Sequence, residues 1–388
     1  MKFQLGLFFL LLALWATLPA ICQERANFWT TALDSLPPKV GYLPGSFRFQ
    51  QYDSLIRGKR LALVVNHTAE YRGKHLVDTL LARGINIRKI FAPEHGFRGT
   101  AAAGEYIQNG TDLRTGLPLV SLYGKNKKPS PEVLADIDLV LFDIQDVGAR
   151  FYTFISTMKL VMEACAENGK EFLVCDRANP LGFCSGGPVL KPKYASFVGA
   201  FPLPVVHGLT VAELAIMAKK KNWFHGAEKL HLYNVKCEGY RHSDSTFPAL
   251  PPSPNLRTPL AILAYPSLCL FEGTNWSVGR GTDNPFEVFG FPDSTSGEFT
   301  FTPSGKQVHS GKVCYGRKLS RESIDQCFSL RFLVEARKRR PGDAGFFNSF
   351  FEKLAGSRKL RQLVERGKEY QSDMDAWEKE KAPFLLYP

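Results

Sequence analysis

The chain has 388 residues, 44% of them hydrophobic, and its 49 Lys+Arg against 37 Asp+Glu give a formal charge of +12. Wholesale disorder and fibrous architecture are excluded, and the length points to two domains or one large domain with a substantial lobe. The basic excess favours an anionic partner without separating nucleic acid, anionic polymer and membrane surface.

At the N-terminus, Lys2 precedes an apolar run over residues 5–18, and Ala20 and Cys22 follow. A short positive start, an apolar core and small residues near its end read as a secretory signal peptide over residues 1–22. The run is short of the ~20 residues a spanning helix needs, so cleavage is expected over a retained anchor. Acylation of Cys22 is the weaker alternative, because Ile21 is bulky where a small residue is expected. The protein is therefore expected to be exported to the periplasm with no stable transmembrane segment. Export argues against nucleic acid as a partner and against a nicotinamide cofactor; no cofactor is expected. Seven further cysteines, scattered and without a CxxC pair, read as small buried hydrophobes rather than a disulfide framework or a thiolate zinc site.

From residue 52 the chain alternates strands and helices. Strands are expected at 59–65, 85–91, 118–123, 138–144 and 171–176, with helices at 74–83, 132–137 and 153–168. Near-continuous apolar strands separated by helices predict a Rossmann-like α/β fold: a mostly parallel sheet with helices on both faces. After Val65 comes Asn-His-Thr-Ala rather than a GxGxxG turn, so a dinucleotide site is disfavoured. Thr210 with Glu213 is a capping box opening a helix at 210–223. Proline-rich turns follow, dividing the chain into a Rossmann-like domain at 23–240 and a smaller α/β domain at 241–388. Helices are expected there at 330–339 and 357–366.

In an open parallel sheet, ligands bind at the carboxyl ends of the strands. Those ends carry Asn66 and His67; Glu94, His95 and Arg98; Asp143, Asp146, Arg150 and Tyr152; and Arg177 and Asn179. Glu94, in Pro-Glu-His-Gly-Phe-Arg-Gly, is the candidate general acid, because a loop that partly desolvates a carboxyl favours the protonated form. Asp143 or Asp146 offers the second carboxylate of glycoside hydrolysis. The alternatives are structural: Glu94 paired with Arg98, Asp143 as a cap, Asp146 paired with Arg150. His67, His95 and His207 lack metal-ligand spacing and a carboxylate cluster, so a metal site is disfavoured. The stretch FEGTNWSVGRGTDNPF (271–286) presents Glu272, Asn275, Trp276 and Arg280 on a glycine-punctuated backbone, a candidate pocket wall. Arg150, Arg177 and Arg280 are candidates to fork onto a substrate carboxylate.

The stretches APEHGFRG (92–99), LFDIQDVGARFYTF (141–154), CDRANPLG (175–182), VVHGLTVAELA (205–215), SPNLRT (253–258) and FEGTNWSVGRGTDNPFE (271–287) carry a resemblance across most of the chain. With them the chain resembles the bacterial exo-β-N-acetylmuramidase family. The resemblance implies a Rossmann-like domain, a smaller C-terminal domain and a cleft between them. It implies removal of terminal N-acetylmuramic acid from the non-reducing ends of peptidoglycan fragments, with the catalytic glutamate falling on Glu94. Strand-end placement, the 271–286 loop and the matched stretches together make Asn66, His67, His95, Arg98, Arg150, Tyr152, Arg177, Asn179, His207, Glu272, Asn275 and Arg280 the expected substrate contacts. Trp276 and Val278 depart from the family pattern, which makes them positions where specificity could differ. The competing reading is a periplasmic protein that binds anionic cell-wall sugars without cleaving them. Nine Lys/Arg over residues 329–361 are read as a solvated basic face that could hold the protein near an anionic surface.

Overall fold

A computed structural model describes residues 41–97 and 109–388. The expected signal peptide, Cys22 and Arg98 lie outside them. The strands are β1 (Leu61–Val65), β2 (Glu70–Tyr71), β3 (Lys74–His75), β4 (Ile87–Ala92), β5 (Gly110–Thr111), β6 (Pro118–Ser121), β7 (Leu139–Asp143), β8 (Glu171–Cys175), β9 (His231–Val235), β10 (Val288–Phe291), β11 (Phe299–Phe301) and β12 (Cys314–Lys318). The helices are α1 (Asp53–Ile56), α2 (Leu76–Ala82), α3 (Pro131–Leu134), α4 (Phe154–Glu167), α5 (Val211–Lys220), α6 (Pro259–Leu268), α7 (Arg331–Arg339), α8 (Phe351–Ala355), α9 (Lys359–Glu365) and α10 (Asp375–Lys381).

Seven strands form the main sheet in the order β5-β6-β4-β1-β7-β8-β9, all parallel except the short β5. Taken without β5, its six parallel strands run third, second, first, fourth, fifth, sixth, which is the Rossmann order. Strands β1 and β7 are buried along their whole length. Alternate side chains feed two cores: Ala62, Val64, Val140 and Phe142 face α4 and α5, while Leu61, Leu63, Leu139 and Leu141 face α2. A sheet covered on both faces has no polar face to show, hence the unbroken apolar strands. Helix α5 opens with the expected capping box: the Thr210 hydroxyl accepts from the Glu213 amide and the Glu213 carboxylate from the Thr210 amide. Strand β9 was not expected from the sequence, since it is an edge strand with four of its five residues at least partly exposed.

The second lobe is a three-stranded antiparallel sheet, β10-β12-β11, with α6 to α9 around it. Trp276, Phe271, Phe289 and Phe332 form its aromatic centre, and they belong to the same buried cluster as Phe142 and α4. The lobes are therefore joined by a continuous apolar interior. The cysteine expectation needs correction: Cys184 and Cys327 form a disulfide between the loop after β8 and the segment before α7. Cys165, Cys175, Cys237, Cys269 and Cys314 are buried thiols. Among the described residues no helix is long and apolar enough to cross a membrane.

The C-terminal tail returns to the first lobe. The Trp377 indole donates to the His207 carbonyl at 2.9 Å, and the Tyr387 hydroxyl donates to Asp176 at 2.6 Å while accepting from the Cys237 amide at 2.8 Å. Tyr387→Phe leaves that buried amide and carboxylate each short of a partner. The expected cost is about 2 kcal/mol of stability, seen as a lower urea midpoint with unchanged m-value.

Candidate active site

Strand β4 ends at Ala92, and the chain turns through Glu94 and His95, with His95 at φ 68°. The half-buried Glu94 accepts a 2.6 Å hydrogen bond from the Thr153 hydroxyl. Thr153 stands at the N-cap of α4 but makes no capping bond through its side chain. It orients the carboxylate instead. Glu94, His95 and the segment Phe151–Phe154 form one wall of a cleft of about 1490 Å³. The second lobe supplies the other walls, through Ser253–Arg257, the 272–286 loop and the 299–308 hairpin.

Five of the expected site residues meet in this cleft: Glu94, His95, Tyr152, Glu272 and Arg280. Tyr152 is buried, and its hydroxyl, close to Ser253, completes no hydrogen bond of normal geometry among the described residues. Burial above all, with the negative charges of Asp146 and Glu94, holds this phenol well above its ordinary pKa and so neutral. Glu272 pairs with Arg280, whose guanidinium lies 5.0 Å from the Phe286 ring centroid. Burial would lower the Arg280 pKa, but the Glu272 carboxylate outweighs it and raises it. Trp276 and Val278 also line the cleft, both nearly fully buried.

The remaining strand-end residues among those described do not line the cleft. Asp143, fully buried, takes a bidentate pair from Arg177, with Nε at 2.5 Å and a terminal nitrogen at 2.9 Å. Each holds the other, so neither Asp143, expected as a catalytic carboxylate, nor Arg177, expected as a substrate fork, lines the cleft in this structure. Arg150 does not line it either. Its terminal nitrogens donate to the carbonyls of Pro188, Leu203 and Leu354 at 2.7–2.8 Å. Burial without an anionic partner draws its pKa down to about 9, still cationic at neutral pH. Gly356 makes room for it, because a Cβ there would lie 2.7 Å from the guanidinium.

Asn179 bonds the Leu209 carbonyl and the Leu181 amide, and the Asn66 oxygen takes both the amide and hydroxyl of Thr68. The His67 Nε2 meets the Pro251 carbonyl at 2.8 Å, and Asn275 bonds Asp343 at 2.8 Å. Asp146 accepts from the Gly148 amide at 2.7 Å, while its second oxygen has no hydrogen-bond partner among the described residues. Burial lifts its pKa to about 7. His207 lies 3.8 Å away, pushed down to about 3 by burial and by Lys381 and Arg150, so the two are not an ion pair at neutral pH. Among the described residues no group of three His, Cys, Asp or Glu is placed to hold a metal.

Several cleft residues were not singled out from sequence. Thr153 reads as a helix start at the end of a stretch that the resemblance places at the cleft, with no role of its own, and Arg257 sits in the quoted SPNLRT stretch without any pattern that assigns it a role. Phe299, Phe301 and Lys306 come from a hairpin whose FTFTPSG alternation marks a strand and turn but not a wall.

An α/β lobe, a smaller lobe, and a cleft holding an oriented carboxyl opposite a carboxylate–guanidinium pair form the layout of a glycoside hydrolase. Comparison with known proteins supports this class. The family description "Exo-beta-N-acetylmuramidase NamZ, N-terminal" matches residues 61–260, and its C-terminal counterpart matches residues 263–387. The chain is 38% identical over 357 residues to the peptidoglycan β-N-acetylmuramidase NamZ of Bacillus subtilis (strain 168), covering 84% of this chain and 85% of that one. Two crystal structures of DUF1343-family proteins from Bacteroides fragilis share the fold. The first has a TM-score of 0.82 at 37% identity, over 89% of this chain and 99% of the other. The second has 0.77 at 28%, over 90% and 100%. The chain is a glycoside hydrolase. It belongs to the exo-β-N-acetylmuramidase NamZ family.

The environment of Asp146 has a consequence for stability. A carboxyl at about 7 in the folded state and 3.8 when exposed holds a proton that the unfolded chain releases. Its contribution is full below the unfolded value and is lost as pH rises through the folded one, at up to ~1.4 kcal/mol per pH unit in between. Asp146→Asn should flatten the decline of unfolding free energy between about pH 4 and pH 7, measured by urea titration at each pH. An unchanged slope would mean that Asp146 stays ionised.

Proposed function

We infer that this chain hydrolyses the β-linkage of a terminal, non-reducing N-acetylmuramic acid on peptidoglycan fragments, with Glu94 giving its proton to the leaving oxygen. The observation that carries this is Glu94 itself: a carboxyl lining the cleft and oriented by Thr153, among aromatic side chains from both lobes. A protein that only bound an anionic sugar would gain nothing from such a carboxyl. The name of the Bacillus relative supports the muramide as substrate, and the family description supports exo action.

Muramic acid differs from glucosamine by a lactyl carboxylate, so its recognition calls for a cation in the cleft. With Arg150 and Arg177 buried elsewhere, Arg257, Arg280 and Lys306 are the Lys and Arg side chains lining it among the described residues. Arg280 is committed to Glu272. Arg257 is exposed and anchored through Nε to the Pro254 carbonyl at 2.7 Å, which leaves its terminal nitrogens for a carboxylate. The apolar segment at 5–18 and the Cys184–Cys327 disulfide both favour an exported protein in an oxidising compartment.

Hydrolysis of a muramyl disaccharide, whose sugar leaving group needs a proton, tests this reading. Wild type should turn over, and Glu94→Gln should lose about 10²–10⁴-fold in kcat while keeping its affinity. Tight binding without turnover by wild type would make the protein a binder, and full activity in the variant would remove Glu94 from the chemistry. The N-acetylglucosaminide should be a poor substrate. Equal rates on the two sugars would remove the cationic wall from recognition.

A further inference from the structure

Hydrolysis of a glycoside needs a second group on the face of the sugar opposite the leaving oxygen. The neighbouring strand end does not supply it, because Asp143 is consumed by Arg177 and Asp146 does not line the cleft. Besides Glu94, the carboxylates lining the cleft among the described residues are Glu272 and Asp283. Asp283 is exposed. Glu272 is built in. It sits in the tight turn Cys269–Gly273 that closes α6, and its carbonyl accepts from the Asn348 amide group at 3.1 Å. Gly273 packs so closely on α8 that a Cβ would lie 2.4 Å from the Phe351 Cα, so the turn cannot shift toward that helix. Arg280 fixes one carboxylate oxygen, while the other meets, among the described residues, the Cys269 thiol at 3.8 Å.

Two perpendicular rings line the cleft together with the carboxyls. Tyr152 lies beside Glu94 and Tyr265 beside Glu272, with centroids 6.0 Å apart at 85°. Glu94 and Glu272 thus enter one cleft from opposite lobes, with aromatic rings of both lobes between the segments that carry them.

Resting on the muramidase reading, we propose that Glu272 is the second catalytic carboxylate, working on the face opposite Glu94 with Arg280 as its positioning residue. As the bond between C1 and the leaving oxygen breaks, that oxygen takes the Glu94 proton. A water oxygen forms the new bond to C1 and passes its proton to Glu272. Proton return between the two carboxyls through solvent restores the starting state, and the elements of one water are divided between the two products.

The test is chemical rescue on an aryl N-acetylmuramide whose leaving group needs no acid. Glu272→Gln should lower kcat about 10³-fold with KM near wild type and thermal unfolding unchanged. Sodium azide should restore turnover and yield the α-glycosyl azide, because the small anion replaces the missing carboxylate on its own face. Arg280→Met should raise KM or lower kcat without any azide response. A Glu272→Gln enzyme that stays within tenfold of wild type, or a dead one that azide does not rescue, overturns the assignment while leaving the Glu94 reading intact. A wild type inactive on the muramide sinks the muramidase reading and the assignment together.

Discussion

The constraint on which the architecture turns is that a second lobe lies over the carboxyl edge of a parallel sheet. Polar groups that an open Rossmann sheet would leave to solvent are here buried, and a buried polar group without a partner is costly. The Asp143–Arg177 pair answers this at the switch point between β1 and its neighbour β7. Removing either partner would strand the other charge, at about 3–5 kcal/mol. Arg150 answers it between lobes, reaching one carbonyl of α8 and two of the loops beside β8. Groups not consumed in this way, Glu94 and Tyr152 foremost, line the cleft that remains.

Most of the first lobe was legible because burial on both faces leaves a plain mark, an unbroken apolar run flanked by turns. The capping box at Thr210 was legible because both partners lie within four residues. What escaped depends on contacts distant in sequence. Asp143 and Arg177 stand at strand ends as catalytic residues do, and nothing local says that they will pair with each other. Arg150 ends at the Leu354 carbonyl, and Cys184 finds Cys327 143 residues away. Strand β9 shows the converse, because a solvent-facing edge strand carries too little apolar pattern to be seen. Glu94 was legible for a chemical reason: a carboxyl between proline and histidine on a strand-end loop has little structural work to do.

The basic excess also changes meaning. Several of the arginines over residues 331–361 are neutralised within the protein: Arg331 by Asp325, Arg339 by Glu335, Arg340 by Asp293 and Arg361 by Glu352. Exposed pairs of this kind are worth ~0–1 kcal/mol each, but they leave fewer free charges for a distant anionic surface than the count implies. Among the described residues the cleft itself is lined by three cations, Arg257, Arg280 and Lys306, and under the proposed reading Arg257 and Lys306 are the ones available to a lactyl carboxylate.

The most direct test of a Glu94-centred interlobe active site is a crystal structure of Glu94→Gln with a muramyl disaccharide bound. The expected result is a non-reducing muramic ring on the Tyr152–Tyr265 floor, its glycosidic oxygen within about 3.2 Å of the side chain at position 94. A disaccharide seated outside the cleft, or one whose scissile bond lies away from that side chain, would contradict it.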